Sequence, residues 1–196
     1  MKIILLGLLI VSWHDSVWAQ IGPNEEIPFV PTPIEVVDRM LELAEVKKGD
    51  SVYDLGSGDG RIVIRAAKKY GARGVGIEMD PLLLEKSRQA AVTEGVGDLV
   101  EFRSEDALKT DISPATVITL YMLPWFTEAM KPSFQKYLKA GARIVAHDFG
   151  IHGWEPDKTE KLPTPEKKIG GLIHYHTIYL WRIRDIRTQG KAPIAD

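Results

Sequence analysis

Short apolar runs alternate along the chain with longer segments in which apolar residues recur every three or four positions. The short runs predict β-strands, and the periodic segments predict α-helices. Strands that alternate with helices of this length indicate parallel βαβ units. The strands are expected at 51–55, 74–78, 99–103, 116–121, 143–148 and 174–183, and the helices between them at 61–70, 81–94 and 125–138.

This order of elements predicts one α/β domain at residues 34–186. We expect a Rossmann-like, seven-stranded, mainly parallel sheet with helices on both faces and a last antiparallel hairpin. Residues 20–33 are rich in proline, which biases each preceding residue towards extended geometry, and they are expected to form an arm ahead of the domain. Residues 187–196 are expected to be a tail.

Two local predictions concern the ends of the sheet. Thr32 is expected to cap a helix that reaches Val46, with Pro33 at its first position and Glu35 completing the cap. Residues 152–171 contain several prolines and glycines. They are expected to form a surface loop, with one short antiparallel strand within it as the alternative.

The first residues of the chain resemble a targeting segment. Lys2 precedes an apolar run at 3–13, and Val17 and Ala19 place small side chains before a cleavage point. This pattern predicts a secretory signal peptide at 1–19 and therefore an exported or periplasmic protein, with a membrane tether formed by an uncleaved signal as the alternative. The run is shorter than the roughly 20 apolar residues that a spanning helix needs, so no stable membrane span is expected after cleavage.

Composition excludes several classes of function. The formal net charge is -2, so there is no broad basic surface for a phosphate backbone, and no nucleic-acid partner is expected. The chain has no cysteine. Disulfides, thiolate catalysis and cysteine-based zinc sites are therefore excluded.

Three carboxylates are expected at the carboxyl ends of successive strands, where doubly wound sheets bind their ligands. Asp54 ends the first strand, just before Gly56 and Gly58, which let the backbone turn sharply and approach a ligand. Glu78 ends the second strand, where a carboxylate can accept both hydroxyls of a ribose. Asp106 follows the third strand, in position to accept from the exocyclic amine of adenine. The spacing indicates an adenosine laid across the sheet edge.

A dinucleotide is the alternative ligand for such a turn. That fingerprint requires a third glycine at position 61, which is Arg61 here. Asp54 and Asp59 place negative charge beside the turn, which repels a pyrophosphate and suits a cationic methionine moiety. No Gly-Lys-Ser/Thr sequence follows, so a Walker loop is excluded.

The segment VYDLGSGDGR at 52–61 resembles the first motif of the class I, seven-β-strand S-adenosylmethionine-dependent methyltransferases. More narrowly, the chain resembles the archaeal protein-lysine methyltransferases and their mitochondrial relatives that modify the c-subunit of ATP synthase. This second resemblance rests on PFVPTP at 28–33, TLYML at 119–123, the glycine-containing segment at 138–145, and HDF at 147–149 with Trp154.

The resemblance implies that the chain is an enzyme that binds S-adenosyl-L-methionine and methylates a lysine of a protein substrate. It assigns cofactor binding to Asp54, Gly56, Ser57, Gly58, Glu78 and Asp106. It implies that the acceptor enters near the end of the fourth strand, beneath the arm, with Tyr121 as the candidate catalytic residue. Candidates for substrate binding are Phe29, Thr32, Thr119 and Trp125. A small-molecule methyltransferase and a non-catalytic adenosine-binding module stay open as alternatives.

Histidines near the end of the sheet are the candidates for metal binding. His147 and Asp148 can be read as a base with its orienting group or as a metal pair, but the simpler interpretation is that His147 bonds backbone groups. His174 and His176 lie on one face of a strand, with no third ligand at useful spacing. No metal site is therefore expected.

Overall fold

The computed structural model of the chain describes Gly22, residues 29–169 and residues 172–185. The predicted signal peptide, the tail and most of the arm lie outside the described residues. In the part of the chain that is described, no helix is long and apolar enough to cross a membrane.

The described chain contains four helices and seven strands. The helices are α1 (Ile34–Leu43), α2 (Arg61–Tyr70), α3 (Pro81–Thr93) and α4 (Pro124–Tyr137). The strands are β1 (Ser51–Leu55), β2 (Arg73–Glu78), β3 (Val100–Ser104), β4 (Val117–Leu120), β5 (Arg143–His147), β6 (Lys158–Ile169) and β7 (Leu172–Arg182).

The strands form one sheet in the order β3-β2-β1-β4-β5-β7-β6. Strands β1 to β5 are parallel, whereas β7 runs antiparallel to β5 and β6 runs antiparallel to β7. The predicted fold class is confirmed. Because β1 and β4 lie next to each other in the middle of the sheet, their carboxyl ends form the switch point at which such sheets bind ligands.

Each face of the sheet is covered by helices. Alternate residues of a strand point to opposite faces, so Val52 belongs to the core beneath α1, α2 and α3, while Tyr53 and Leu55 belong to the core beneath α4. Phe134 of α4 and Trp181 of β7 are fully buried in this second core.

A buried ion pair fastens the amino-terminal edge of the sheet. Arg143 donates to both oxygens of Asp50, at 3.1 and 2.7 Å, and to the carbonyl oxygen of Ala44 at 2.9 Å. Thr116 donates to Asp50 as well, at 2.7 Å. The pair joins the end of α1 to the starts of β1 and β5, on the side of the sheet away from the predicted site.

The predicted cap of the first helix is wrong. The helix begins at Ile34, its capping position is Pro33, and no side chain caps it. Thr32 is 3% exposed, and its hydroxyl lies 3.3 Å from Nδ1 of His147. The hydroxyl is therefore used by a contact 115 residues away instead of by the local helix end.

The loop predicted at 152–171 is also largely wrong, because β6 occupies Lys158–Ile169. Its prolines are tolerated because β6 is an edge strand. No strand lies on its outer side, so a residue without an N–H loses no inter-strand hydrogen bond there. The pairing with β7 is irregular between Thr164 and Lys168, which is typical of a bulged edge.

Candidate active site

The turn between β1 and α2 lies at the carboxyl edge of the sheet. Gly56 and Gly58 have φ angles of 81° and 54°, which glycine adopts without strain. The N–H groups of Gly56 and Ser57 donate to the carbonyl oxygen of Ile77 at 2.9 and 2.8 Å and tie the turn to β2. A Cβ atom on Gly58 would lie 2.3 Å from Cε2 of Phe29, so the arm packs directly on the turn.

Asp54 lies at the base of the site and is 2% exposed. Thr119 donates to its Oδ1 at 2.7 Å. Burial raises the pKa of Asp54 to about 7; the Thr119 hydrogen bond opposes this rise, and the charges of Glu78 and Asp59 add to it. A carboxylate in such surroundings favours a ligand that brings positive charge.

Glu78 and Asp106 both hold backbone N–H groups. Glu78 accepts from the N–H groups of Gly58, Met79 and Asp80 at 2.8, 2.8 and 3.0 Å. Each carboxylate oxygen has two lone pairs, so Glu78 keeps capacity for a further donor. Asp106 accepts from the N–H of Leu108 at 3.0 Å.

The pKa of Asp106 is lowered, first by the side-chain bond from Lys109 and then by the bond from the Leu108 N–H. Its ion pair with Lys109, at 2.9 Å, lies on an exposed surface and is easily exchanged for another donor. The assignments of Glu78 to the ribose and Asp106 to adenine remain predictions.

Asp59 does not offer the free negative charge that the sequence indicated. Arg61 donates to both of its oxygens, at 2.8 and 2.7 Å. Burial alone would raise the pKa of Asp59, but the bonds and charge of Arg61 outweigh it and the pKa is lowered. Arg61 also donates to the carbonyl oxygen of Thr32 at 2.8 Å, so it holds the arm against the turn.

One cleft of about 760 Å³ joins the predicted cofactor and acceptor residues. It is lined by all the predicted site residues except Thr119: Phe29, Thr32, Asp54, Gly56, Ser57, Gly58, Glu78, Asp106, Tyr121 and Trp125. Thr119 is fully buried and donates to Asp54, so the structure places it behind the cleft wall.

Two polar groups of the cleft are orphaned. Ser57 Oγ and Trp125 Nε1 are both buried, and neither has a hydrogen-bond partner among the described residues. Burying such groups is costly unless a ligand or water completes their hydrogen bonds. Together with Asp54, they fit a ligand that is cationic at one end and polar along its length, as S-adenosyl-L-methionine is.

Sequence reasoning missed the apolar wall of this cleft. Met79 and Leu108 are 67% and 39% exposed, and both line the cleft, as do Leu83 and Met122. The available signal was their position, since Met79 and Leu108 each follow a strand-end carboxylate. Exposed apolar side chains at the carboxyl edge of a sheet are typical of a ligand surface.

A cluster of polar rings lies beside Tyr121. The ring centroids of Tyr121 and His147 are 4.0 Å apart, and Nε2 of His147 lies 2.8 Å from Nδ1 of His176. Oδ2 of Asp148 lies 3.2 Å from Nε2 of His147 and 3.4 Å from Nδ1 of His176. Burial raises the pKa of Tyr121 to about 12, and the charge of Asp148 adds to this rise.

The structure corrects the sequence-based interpretation of these histidines. His147 contacts the side chains of Thr32 and His176 instead of backbone groups. The expectation that no third ligand lies near is wrong, because antiparallel pairing of β5 with β7 brings His176 beside His147 and Asp148. The side chain of His174 lies outside the described part.

The seven-stranded sheet, the glycine turn and the strand-end carboxylates define a class I S-adenosylmethionine-dependent methyltransferase. The family model of the ANTKMT methyltransferase domain matches residues 54–158. The chain belongs to this family.

Two relatives are described as lysine N-methyltransferases. The chain is 39% identical over 158 residues to a protein-lysine N-methyltransferase of Saccharolobus islandicus, covering 80% of this chain and 94% of that protein. It is 34% identical to the human lysine N-methyltransferase of the ATP synthase c-subunit, over 67% of this chain and 55% of the human protein.

Among solved structures, one from Salinibacter ruber, described as an RNA methyltransferase in complex with S-adenosyl-L-homocysteine, is 49% identical with a TM-score of 0.70. The match covers 85% of this chain and 98% of that one.

Proposed function

We propose that this methyltransferase modifies the amino group of a lysine side chain in a protein substrate. The main support is the excess of carboxylates in the cleft. Among the described residues, six carboxylates line it, at positions 54, 59, 78, 80, 105 and 106, against one cationic side chain, Arg61. Asp59 is paired with Arg61. Asp54, Glu78 and Asp106 are the predicted cofactor ligands. The carboxylates left over, Asp80 and Glu105, favour an acceptor that arrives as a cation. The names of the Saccharolobus and human relatives support the same acceptor.

The aromatic part of the cleft supports the chemistry of an amine. A lysine with an ordinary pKa of about 10.4 must lose a proton before it attacks, and partial desolvation lowers its pKa. Phe29, Tyr121 and Trp125 provide that apolar surface. Because the pKa of Tyr121 is about 12, its hydroxyl stays protonated at neutral pH. It can accept a hydrogen bond from the neutral amine but does not act as the base.

The cofactor, when bound, supplies a methyl group on a positively charged sulfur, and that sulfur is a good leaving group. The protein has to align the nucleophile and exclude water, which needs little further machinery. Asp54, Ser57 and the glycine turn would hold the cofactor at the sheet edge, and the arm would cover the cleft.

RNA is the second candidate acceptor, because the Salinibacter protein is described as an RNA methyltransferase and is 49% identical to this chain. The net charge of -2 and the carboxylates of the cleft oppose the approach of a phosphate backbone. We therefore favour the protein acceptor and treat RNA as an outcome of the test.

The test is to incubate the purified chain with S-adenosyl-L-methionine labelled in its methyl group and a bacterial lysate. Label should enter protein, resist ribonuclease, and map to methyl-lysine by mass spectrometry. Label that is lost with ribonuclease, or that stays in the small-molecule fraction, would overturn the lysine proposal.

A single hydroxyl deletion tests the acceptor side of the cleft. Tyr121→Phe should lower kcat about 5- to 30-fold, the cost of one hydrogen bond of 1 to 2 kcal/mol, while the affinity for S-adenosyl-L-homocysteine stays unchanged. Tyr137→Phe is the matched control, because Tyr137 is 47% exposed and does not line the cleft. Equal activity of both variants would remove Tyr121 from the acceptor site.

We also propose that the chain is exported, on the basis of the pattern at residues 1–19. Mass spectrometry of the protein from its native cells should find a mature amino terminus at Gln20 in the exported fraction. An intact Met1 in the cytoplasmic fraction would refute the proposal.

A further inference from the structure

We propose that His147, Asp148 and His176 form a binding site for one divalent transition-metal ion of the zinc class. The site adjoins Tyr121 and Thr32 of the cleft, and the proposal goes beyond the proposed function without resting on it. The ligands are Nε2 of His147, Oδ2 of Asp148 and Nδ1 of His176, which all lie within 4.8 Å of one another.

The spacing of these three atoms matches a tetrahedral site. Ligand atoms that lie 2.0 to 2.1 Å from a central zinc are about 3.3 Å from each other. The three separations here are 2.8, 3.2 and 3.4 Å. Two imidazole nitrogens and one carboxylate oxygen also form a donor set that zinc accepts, with the fourth position left for water or another ligand.

The protons of the cluster do not satisfy its lone pairs. If His147 carries its proton on Nε2 and donates it to His176, Nδ1 of His176 stays unprotonated 3.4 Å from the carboxylate oxygen of Asp148. If His176 carries the proton instead, Nε2 of His147 stays unprotonated 3.2 Å from the same oxygen. A cation at the centre removes the repulsion in both cases, because all three lone pairs then point at positive charge.

The surroundings orient two of the three ligands, His147 and Asp148, whereas Nε2 of His176 is buried with no hydrogen-bond partner among the described residues. With a metal on Nε2, His147 carries its proton on Nδ1, which lies 3.3 Å from the hydroxyl of Thr32 and can donate to it. The N–H of Thr177 donates to the other oxygen of Asp148 at 2.8 Å and fixes that carboxylate.

The backbone at Asp148 aims its carboxylate. Asp148 has a φ of 58°, in the left-handed region, which aspartate adopts more readily than most residues with a side chain. Its carboxylate meets β7, where Oδ2 lies near His176 and Oδ1 accepts from the Thr177 N–H.

The test uses the full chain, produced without a histidine tag and freed of metal with a chelator that is then removed. Titration with Co²⁺ alone, followed by visible absorption, should show one ion per chain in a four-coordinate nitrogen and oxygen environment. His176→Ala and Asp148→Asn should each weaken binding about tenfold or more. His152→Ala is the matched control, because His152 is exposed and lies outside the cluster, and its affinity should equal that of the wild type.

Thermal unfolding shows whether each variant is folded and reports metal binding independently of the absorption spectrum. Zn²⁺ should raise the melting temperature of the wild type and of His152→Ala, but not that of His176→Ala, whose substituted ring is partly exposed. Absence of Co²⁺ binding by the wild type would overturn the proposal. Binding of equal strength in His176→Ala would also overturn it, since the ion would then be held elsewhere.

Discussion

The buried carboxylate of Asp54 makes the stability of this protein depend on pH in an unusual direction. Its pKa rises from 3.8 to about 7 because of burial. Ionisation of Asp54 therefore lowers the free energy of unfolding. This penalty is absent below pH 3.8, grows as the pH rises towards 7, and is constant above pH 7. The full penalty is about 4 kcal/mol, and about 2 to 3 kcal/mol of it develops between pH 5 and pH 8.

Asp54→Asn removes this ionisation while keeping the size of the side chain and an oxygen that can accept from Thr119. We expect the free energy of unfolding of the variant, relative to the wild type, to increase by about 2 to 3 kcal/mol from pH 5 to pH 8. The same variant should lose cofactor affinity, because the charge that destabilises the empty site attracts the cationic end of the cofactor. Stability and binding should thus change in opposite directions at one residue.

The assay is urea unfolding of both proteins at several pH values between 5 and 8, because the difference between them cancels the titration of every other group. Asp98→Asn provides the control, since Asp98 is exposed and the same substitution there should leave the pH dependence unchanged. A difference between wild type and Asp54→Asn that stays constant with pH would refute the reasoning.

Three further substitutions test the site and its support. Glu78→Ala should weaken binding of S-adenosyl-L-homocysteine by about 1 to 3 kcal/mol in calorimetry, through the lost charge-assisted hydrogen bonds. Arg143→Met should lower the free energy of unfolding by about 3 to 5 kcal/mol in urea, because it leaves Asp50 charged and buried. Gly58→Ala should weaken the same ligand about tenfold, because the added Cβ displaces the arm.

Each of these has its own control. Glu85→Ala, on the exposed side of α3, should bind the ligand as the wild type does; equal losses would remove Glu78 from the cofactor site. Arg182→Met breaks an exposed ion pair and should cost less than about 1 kcal/mol. A comparable cost for Arg143→Met would contradict the burial argument. Phe29→Ala should restore part of the affinity of Gly58→Ala, and no restoration would mean that the ring is not the obstacle.

The parallel half of the fold could be predicted because its signals are local. A helix such as α2, predicted at 61–70 and found at Arg61–Tyr70, follows from apolar spacing between a glycine turn and Gly71. The strand-end carboxylates followed from the same logic, since parallel strands end at one edge of the sheet. The ten cleft residues predicted from sequence therefore meet in one place.

The errors concern contacts between distant parts of the chain. Thr32 has a sequence context typical of a helix cap, but its hydroxyl is used by His147, and no local pattern records that contact. The strand β6 contains Pro163, which normally argues against a strand, and its edge position is visible only once the whole sheet is assembled. The approach of His176 to Asp148 likewise depends on the register between β5 and β7.

The attachment of the arm has a consequence for how fast the cofactor can exchange. Thr32 is held by two polar contacts, one from Arg61 to its carbonyl oxygen and one between its hydroxyl and His147. Bonds of this kind contribute about 0.5 to 1.5 kcal/mol each. A difference of a few kcal/mol leaves an open form populated at about 0.1 to 10%. We therefore expect spent cofactor to leave through brief openings of the arm, which must also break the packing of Phe29 on Gly58, while the sheet beneath it stays folded.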